Sequence, residues 1–187
     1  MKKIENREQL QAIRKKAKEK IDATPIRILI CGGTGCISGG SQFIYEKMKD
    51  LVGDNENVEI TLQPHVPHPQ VKKTGCHGFC EMGPLMRIEP LNIFYVKVRL
   101  EDCEEIYNET ILNKKVIDRL IYKKNGKSYI NQESIPFYKK QTRIVLKTCG
   151  HIDAENIEEY IAVGGYKGLE KVLFDMTKEE GLDEMLK

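Results

Sequence analysis

No apolar run in this 187-residue chain approaches the ~18–20 residues a membrane span needs. The amino-terminal "MKKIENREQLQAIRKKAKEK" is basic but lacks the apolar core of a signal peptide. Neither sign of charge dominates, with 30 Lys and Arg against 28 Asp and Glu and a formal net charge of +2. That balance, and the lack of a basic patch interleaved with aromatics, argues against a nucleic-acid partner. Tryptophan is absent, and the 40% hydrophobic and 31% charged content is that of a globular protein, long enough for one ordinary domain or two small ones. A cytoplasmic location without membrane insertion is the expectation.

Against these absences stand six cysteines, which reducing conditions would not keep as structural disulfides. Cys31 and Cys36 form a Cys-x4-Cys pair and Cys76 and Cys80 a Cys-x3-Cys pair, with 39 residues between the pairs. Cys103 and Cys149 stand alone. The asymmetry separates four candidate ligands from two thiols read as small buried side chains.

Hydrophobic periodicity places these cysteines on a scaffold. Leu10, Ile13, Ala17 and Ile21 have helical spacing, and Thr24-Pro25 ends that helix. "IRILI" (26–30) reads as a buried strand. A helix from about Gly39 to Val52 follows the first cysteine loop, with Ser38 or Ser41 as its cap. "NVEITLQP" reads as a strand, and "PHVPHPQ" is too rich in proline for a ladder. After the second cysteine loop, "LMRIEP" and "IFYVKVR" form a hairpin turning at Leu91-Asn92, and helices are expected from about Glu101 and through "KKVIDRLIY". Strand, cysteine loop, helix, strand, cysteine loop, hairpin, helix is a thioredoxin-like plan in the α/β class. It brings both cysteine loops to one end of a small sheet. Residues 123–134 read as a linker or hairpin turning at Asn125-Gly126. Beyond them come "TRIVLK" as a strand, a helix capped by Asp153, a turn at Gly164-Gly165, a second helix, and a third opened by the capping box "TKEE" at 177–180.

The glycine-rich "CGGTGCISGGS" poses a choice between phosphate and metal. A Walker loop lacks its lysine here, because Gly35-x4-Gly40 is followed by Ser41 and Gln42. A dinucleotide fingerprint fails as well, because Ser38 stands where its third glycine belongs. Four thiolates from two loops suit an iron–sulfur cluster or a tetrahedral zinc, and thiol redox chemistry remains a third reading. Zinc knuckles mostly use Cys-x2-Cys, whereas the wider spacing here lets each pair straddle a separate iron. Gly32, Gly33, Gly35, Gly75 and Gly78 would let the backbone wrap such a group and aim N–H donors at its sulfurs. His77 reads as a neighbour of the ligands rather than a ligand, and His65 and His68 as surface residues.

At these residues the sequence resembles the thioredoxin-like 2Fe–2S ferredoxins, whose pattern is Cys-x4-Cys, about forty residues, then Cys-x3-Cys. "CGGTGCISGGS" and "TGCHGFCEMGP" look like the versions fused to the NADH-binding flavoprotein subunit of respiratory complex I and its relatives in electron-bifurcating iron hydrogenases and NAD-dependent formate dehydrogenases. "PFYKKQTRIVLKTCGHIDAENIEEYIAVGGYKGLEKVL" is similar to the stretch before the flavin loop of those subunits.

The resemblance implies a 2Fe–2S cluster on Cys31, Cys36, Cys76 and Cys80, one-electron transfer, and partner subunits of an NAD(P)H-linked redox complex. It also implies an amino-terminal helix (1–24), a ferredoxin domain (25–122), a linker (123–134) and an incomplete α+β start of a flavoprotein domain (135–187). FMN, NAD(P) and a 4Fe–4S cluster are expected only in the full-length subunit, and no residue here is assigned to them. A structural zinc module and a stand-alone ferredoxin are the alternatives.

Overall fold

The computed structural model describes residues 3–53 and 68–187. In chain order it contains α1 (Arg7–Ala23), β1 (Arg27–Cys31), α2 (Thr34–Ser38), α3 (Ser41–Val52), β2 (Gln70–Thr74), β3 (Met86–Glu89), β4 (Ile93–Tyr95) and α4 (Cys103–Glu105), which runs on as a π-helical stretch over Ile106–Leu112. The hairpin β5 (Tyr122–Lys124) and β6 (Lys127–Tyr129) follows, then α5 (Pro136–Lys139), α6 (Ile157–Ala162), α7 (Lys167–Asp175) and α8 (Lys178–Leu186). The chain divides into two compact units, residues 23–155 and residues 1–22 with 156–187.

The larger unit is built on a four-stranded sheet of order β2-β1-β3-β4. β1 pairs parallel to β2, with α2 and α3 in the crossover, and antiparallel to β3, which forms a hairpin with β4. This is the thioredoxin-like plan. Ile28, Leu29 and Ile30 of β1 are all buried because a central strand covered on both faces has no wet side. Ile28, Ile30, Ile44, Met48, Ile88, Tyr95 and Ile106 form the main core, each contributing about 1.5–3 kcal/mol on burial. Cys103 lies in it, and burial pushes its thiol up to about 11. A second core of Cys31, Cys36, Phe79, Leu85, Phe94, Val96, Ile135 and Tyr138 lies beside the cysteine loops.

Several local expectations change. "NVEITLQP" and His65 lie outside the described residues, and the strand beside β1 is "QVKKT", starting at the last residue of the proline-rich stretch. α3 is capped by Gly40 in the left-handed region, with no side-chain cap from either serine. "KKVIDRLIY" is a turn, not a helix: Val96 N–H donates to Leu120 O, and Ile117 N–H to the Tyr95 hydroxyl. Those bonds hold Ile117, Leu120 and Ile121 in the core without helical pairing. "TRIVLK" forms turns rather than a strand, with Ile144 and Val145 76% and 89% exposed. Asn156, not Asp153, caps α6.

Residues 123–134 do not hang free. The hairpin turns at Asn125-Gly126, both at positive φ, and Phe94 N–H donates to Ile130 O at 2.7 Å. Further on, Asp153 bridges Thr74 and Ala154 N–H donates to Lys73 O at 3.0 Å, so the chain returns to the outer edge of β2.

In the smaller unit, Leu10 and Ala17 are the buried positions of α1. Arg14 donates to Glu170 at 2.9 Å and Gln11 donates to the same carboxylate at 3.0 Å, which holds that carboxyl below its ordinary value. α8 opens on the expected capping box between Thr177 and Glu180. Among the described residues no helix is long and apolar enough to cross a membrane.

Candidate metal centre

The four paired cysteines meet at one end of the sheet. Cys31 is the last residue of β1, and Cys36 sits within α2, one turn into the crossover; both are buried. Cys76 follows the end of β2 and Cys80 opens a 3-10 turn that leads into β3; both are exposed. Because β1 and β2 run parallel in register, with Cys31 opposite Thr74, both loops leave the sheet at the same edge.

The thiols act on one another as a set. Cys36 donates its proton toward Cys31, which lowers Cys31 to about 6 and raises Cys36. Cys76 is raised, first by burial and then by the charges of Cys31 and Cys80. The Gly78 N–H donates to the Cys76 sulfur at 3.3 Å, and the backbone of His77 and Gly33 lowers Cys31 while that of Leu85 acts to lower Cys36. Donors of this kind favour anionic sulfur.

Close backbone approach completes the cradle. A Cβ on Gly33 would lie 3.0 Å from the Cys76 sulfur and 3.5 Å from that of Cys31. On Gly35 it would lie 3.4 Å from the Cys80 sulfur, and on Gly83 2.8 Å from the Cys36 sulfur. Gly32 and Gly75 face elsewhere. Gly32 N–H donates to Thr74 O at 2.8 Å, extending the β1–β2 pairing, and a Cβ on Gly75 would meet the Cys149 sulfur at 2.9 Å.

The donor set fits a cluster. Among the described residues no group of three or more His, Cys, Asp or Glu is set to hold a metal ion, and the fit rests on the four sulfurs and the backbone beside them. The thiols act on one another, the Gly78 N–H donates to one of them, and glycine backbone lies against them.

Three contributors escaped sequence reasoning. Gly83 had a signal, since it follows Cys80 by three residues within the quoted "TGCHGFCEMGP". Gln132 and Tyr138 had none, because they come from a segment more than fifty residues beyond Cys80. Gln132 accepts from Arg87 at 3.2 Å and pairs with His77 Nδ1 at 3.2 Å. Burial drives His77 down to about 3 and so keeps it neutral. Phe79, between Cys76 and Cys80, is stacked on Phe137 at 4.8 Å and meets Tyr138 edge-on at 5.6 Å.

No family model matches the chain. A 2Fe–2S ferredoxin of Clostridium pasteurianum is 32% identical over 95 residues, covering 50% of this chain and 91% of that protein. The NADP-reducing hydrogenase subunit HndC of Solidesulfovibrio fructosivorans is 56% identical over 45 residues, 24% of this chain and 9% of that subunit. Among solved structures, the thioredoxin-like [2Fe-2S] ferredoxin from Aquifex aeolicus aligns with a TM-score of 0.42 and 21% identity, over 55% of this chain and 94% of that one. With nine-tenths of the Clostridium protein aligned at this identity, on a thioredoxin-like sheet whose loops bring four cysteines together, the chain belongs to the 2Fe–2S ferredoxin family of electron-transfer proteins.

Proposed function

We propose that Cys31, Cys36, Cys76 and Cys80 hold a 2Fe–2S cluster and that the chain passes single electrons within an NAD(P)H-linked redox complex of the hydrogenase type. The observation that carries the first part is the gathering of four thiols, with Gly33 and Gly35 backbone against their sulfurs. The partner class rests on the 45-residue likeness to a hydrogenase subunit at 56% identity. When bound, the cluster supplies a one-electron couple that the protein tunes.

The chain's own residues then have distinct tasks. Cys31 and Cys36 would hold the cluster on its buried side, and Cys76 and Cys80 on the exposed side that faces a redox partner. The N–H groups of Gly33, His77, Gly78 and Leu85 offset the negative charge that reduction adds. Phe79, Leu85, Phe94 and Val96 keep water from the buried pair.

The test is iron and sulfide analysis after anaerobic purification. About two irons and two acid-labile sulfides per chain, with a red-brown spectrum, are expected. One zinc and no labile sulfide would falsify the cluster reading in favour of a structural zinc module. For the partner class, reduction by NADPH or NADH in the presence of a hydrogenase-type flavoprotein is expected. Failure there, with an intact cluster, would leave a stand-alone ferredoxin.

A further inference from the structure

Behind the buried cysteines lies a layer of polar groups that the cradle does not use. Arg87, buried in β3, donates to Gln132 Oε1, Glu133, Glu89 and Asn92. A guanidinium has only donors, so its bond to Gln132 fixes that amide with its oxygen toward Arg87 and its nitrogen turned away. His77 shares the same oxygen through Nδ1, which must therefore carry its proton. The ring is held in place by Phe94 at 5.2 Å and by Gly150, where a Cβ would fall 2.5 Å from it.

The consequence falls on Tyr138, whose hydroxyl interacts with the Gln132 side chain. Among the described residues neither Gln132 Nε2 nor that hydroxyl, both buried, completes a hydrogen bond of ordinary geometry. Buried donors are ordinarily paired, because each unpaired one costs about 1–3 kcal/mol. Tyr138 packs in the same buried group as Cys31 and Cys36. Burial raises its phenol, and the charges of Cys31 and Cys76 raise it further. An anionic cluster on those cysteines would give the Tyr138 hydroxyl an acceptor.

We propose that Tyr138, carried on the segment that follows the β5–β6 hairpin, offers a hydrogen bond to the cluster and favours its reduced state, and that Gln132 is the positioning residue for its hydroxyl. The inference rests on reading the four cysteines as cluster ligands. Arg87 acts through Gln132, as the group that orients the amide.

The experiment is a redox titration of the full chain, followed by visible and electron paramagnetic resonance spectra, with iron content measured in parallel. Tyr138→Phe removes one donor and keeps the ring. Gln132→Met removes the amide beside that hydroxyl without adding a charge. Tyr138→Phe is expected to shift the reduction equilibrium about tenfold toward the oxidised form, about 59 mV lower for one electron, and Gln132→Met in the same direction by less, both at unchanged iron content. Tyr129→Phe, which removes a hydroxyl at the margin of the same apolar group, is expected to leave the potential where it was. Wild-type potentials in both variants, an equal drop in Tyr129→Phe, or loss of iron from both would overturn the inference. A wild-type chain without labile sulfide would instead sink the cluster reading itself.

Discussion

Gly33→Ala isolates the cradle from backbone preference. Gly33 has φ −67° and ψ 147°, an extended conformation that alanine adopts freely, so the substitution tests space alone. The added Cβ would sit 3.0 Å from both Cβ and Sγ of Cys76, whereas nonbonded carbon contacts are comfortable at about 3.5–4.0 Å. Cys76 or the loop must therefore retreat by about 0.5–1 Å. Overpacking of this kind costs about 1–3 kcal/mol, and the smaller entropy of the unfolded alanine chain returns about 0.4–1 kcal/mol. A net loss of about 1–2 kcal/mol follows, which for the unit spanning residues 23–155 lowers the melting temperature by roughly 4–7 °C. The informative readout is iron. Ligand positions must hold to within about 0.5 Å, so release of iron to a chelator should be faster than in the wild type. Gly40→Ala is the control. Its φ of +93° strains an alanine, but a Cβ there meets nothing within 4 Å. It should cost about 1–2 kcal/mol and release iron at the wild-type rate. Equal iron loss from the two variants would refute the steric argument.

Other outcomes follow from named contacts. Cys76→Ser should lose or strongly alter the visible spectrum, while Cys103→Ser, in the main core, keeps it; equal damage would mean the ligands are misassigned. Tyr95→Phe strips the hydroxyl that bonds Thr110 at 2.6 Å and accepts from Ile117 N–H at 3.0 Å. It should cost about 1–3 kcal/mol in denaturant titrations with the spectrum unchanged, and an unchanged midpoint would show that those groups find other partners. Glu170 is held below its ordinary 4.5 by hydrogen bonds from Gln11 and Arg14 and by the charges of Arg14 and Arg7. Its stabilising effect is present above about pH 4.5 and is lost as pH falls through the lowered value. Protection of the α1 amides, taken relative to their intrinsic exchange rates, should therefore fall on acidification, and Glu170→Gln should abolish that dependence; an identical profile in the variant would contradict it.

The amino-acid order carried the parts of this protein that depend on local pattern. "IRILI" declared a buried strand because aliphatic residues run unbroken. The two cysteine pairs declared a four-thiol site because their spacing and glycines have few other uses. "TKEE" declared a helix start because its four residues contain both halves of the reciprocal bond. Where the pattern misled, a distant contact had overridden it. "KKVIDRLIY" has helical spacing, yet hydrogen bonds to Tyr95 and Val96 hold it as a turn. "QVKKT" is polar because it is the outer strand of the sheet, and a strand with one partner needs little apolar surface.

What only the tertiary structure decided is the far side of the site. Arg87, Gln132, Tyr138 and Gly150 are separated in sequence by up to about sixty residues, and no periodicity links them. They meet because the chain after β4 folds back across the cysteine loops, with Ile130 bonded to Phe94 and Gly150 N–H donating to Thr74. The proposed ligands are marked by side-chain chemistry and short spacing, which a sequence displays directly. The dielectric and hydrogen-bonding surroundings of those ligands depend on contacts between distant segments, and only the folded chain creates them.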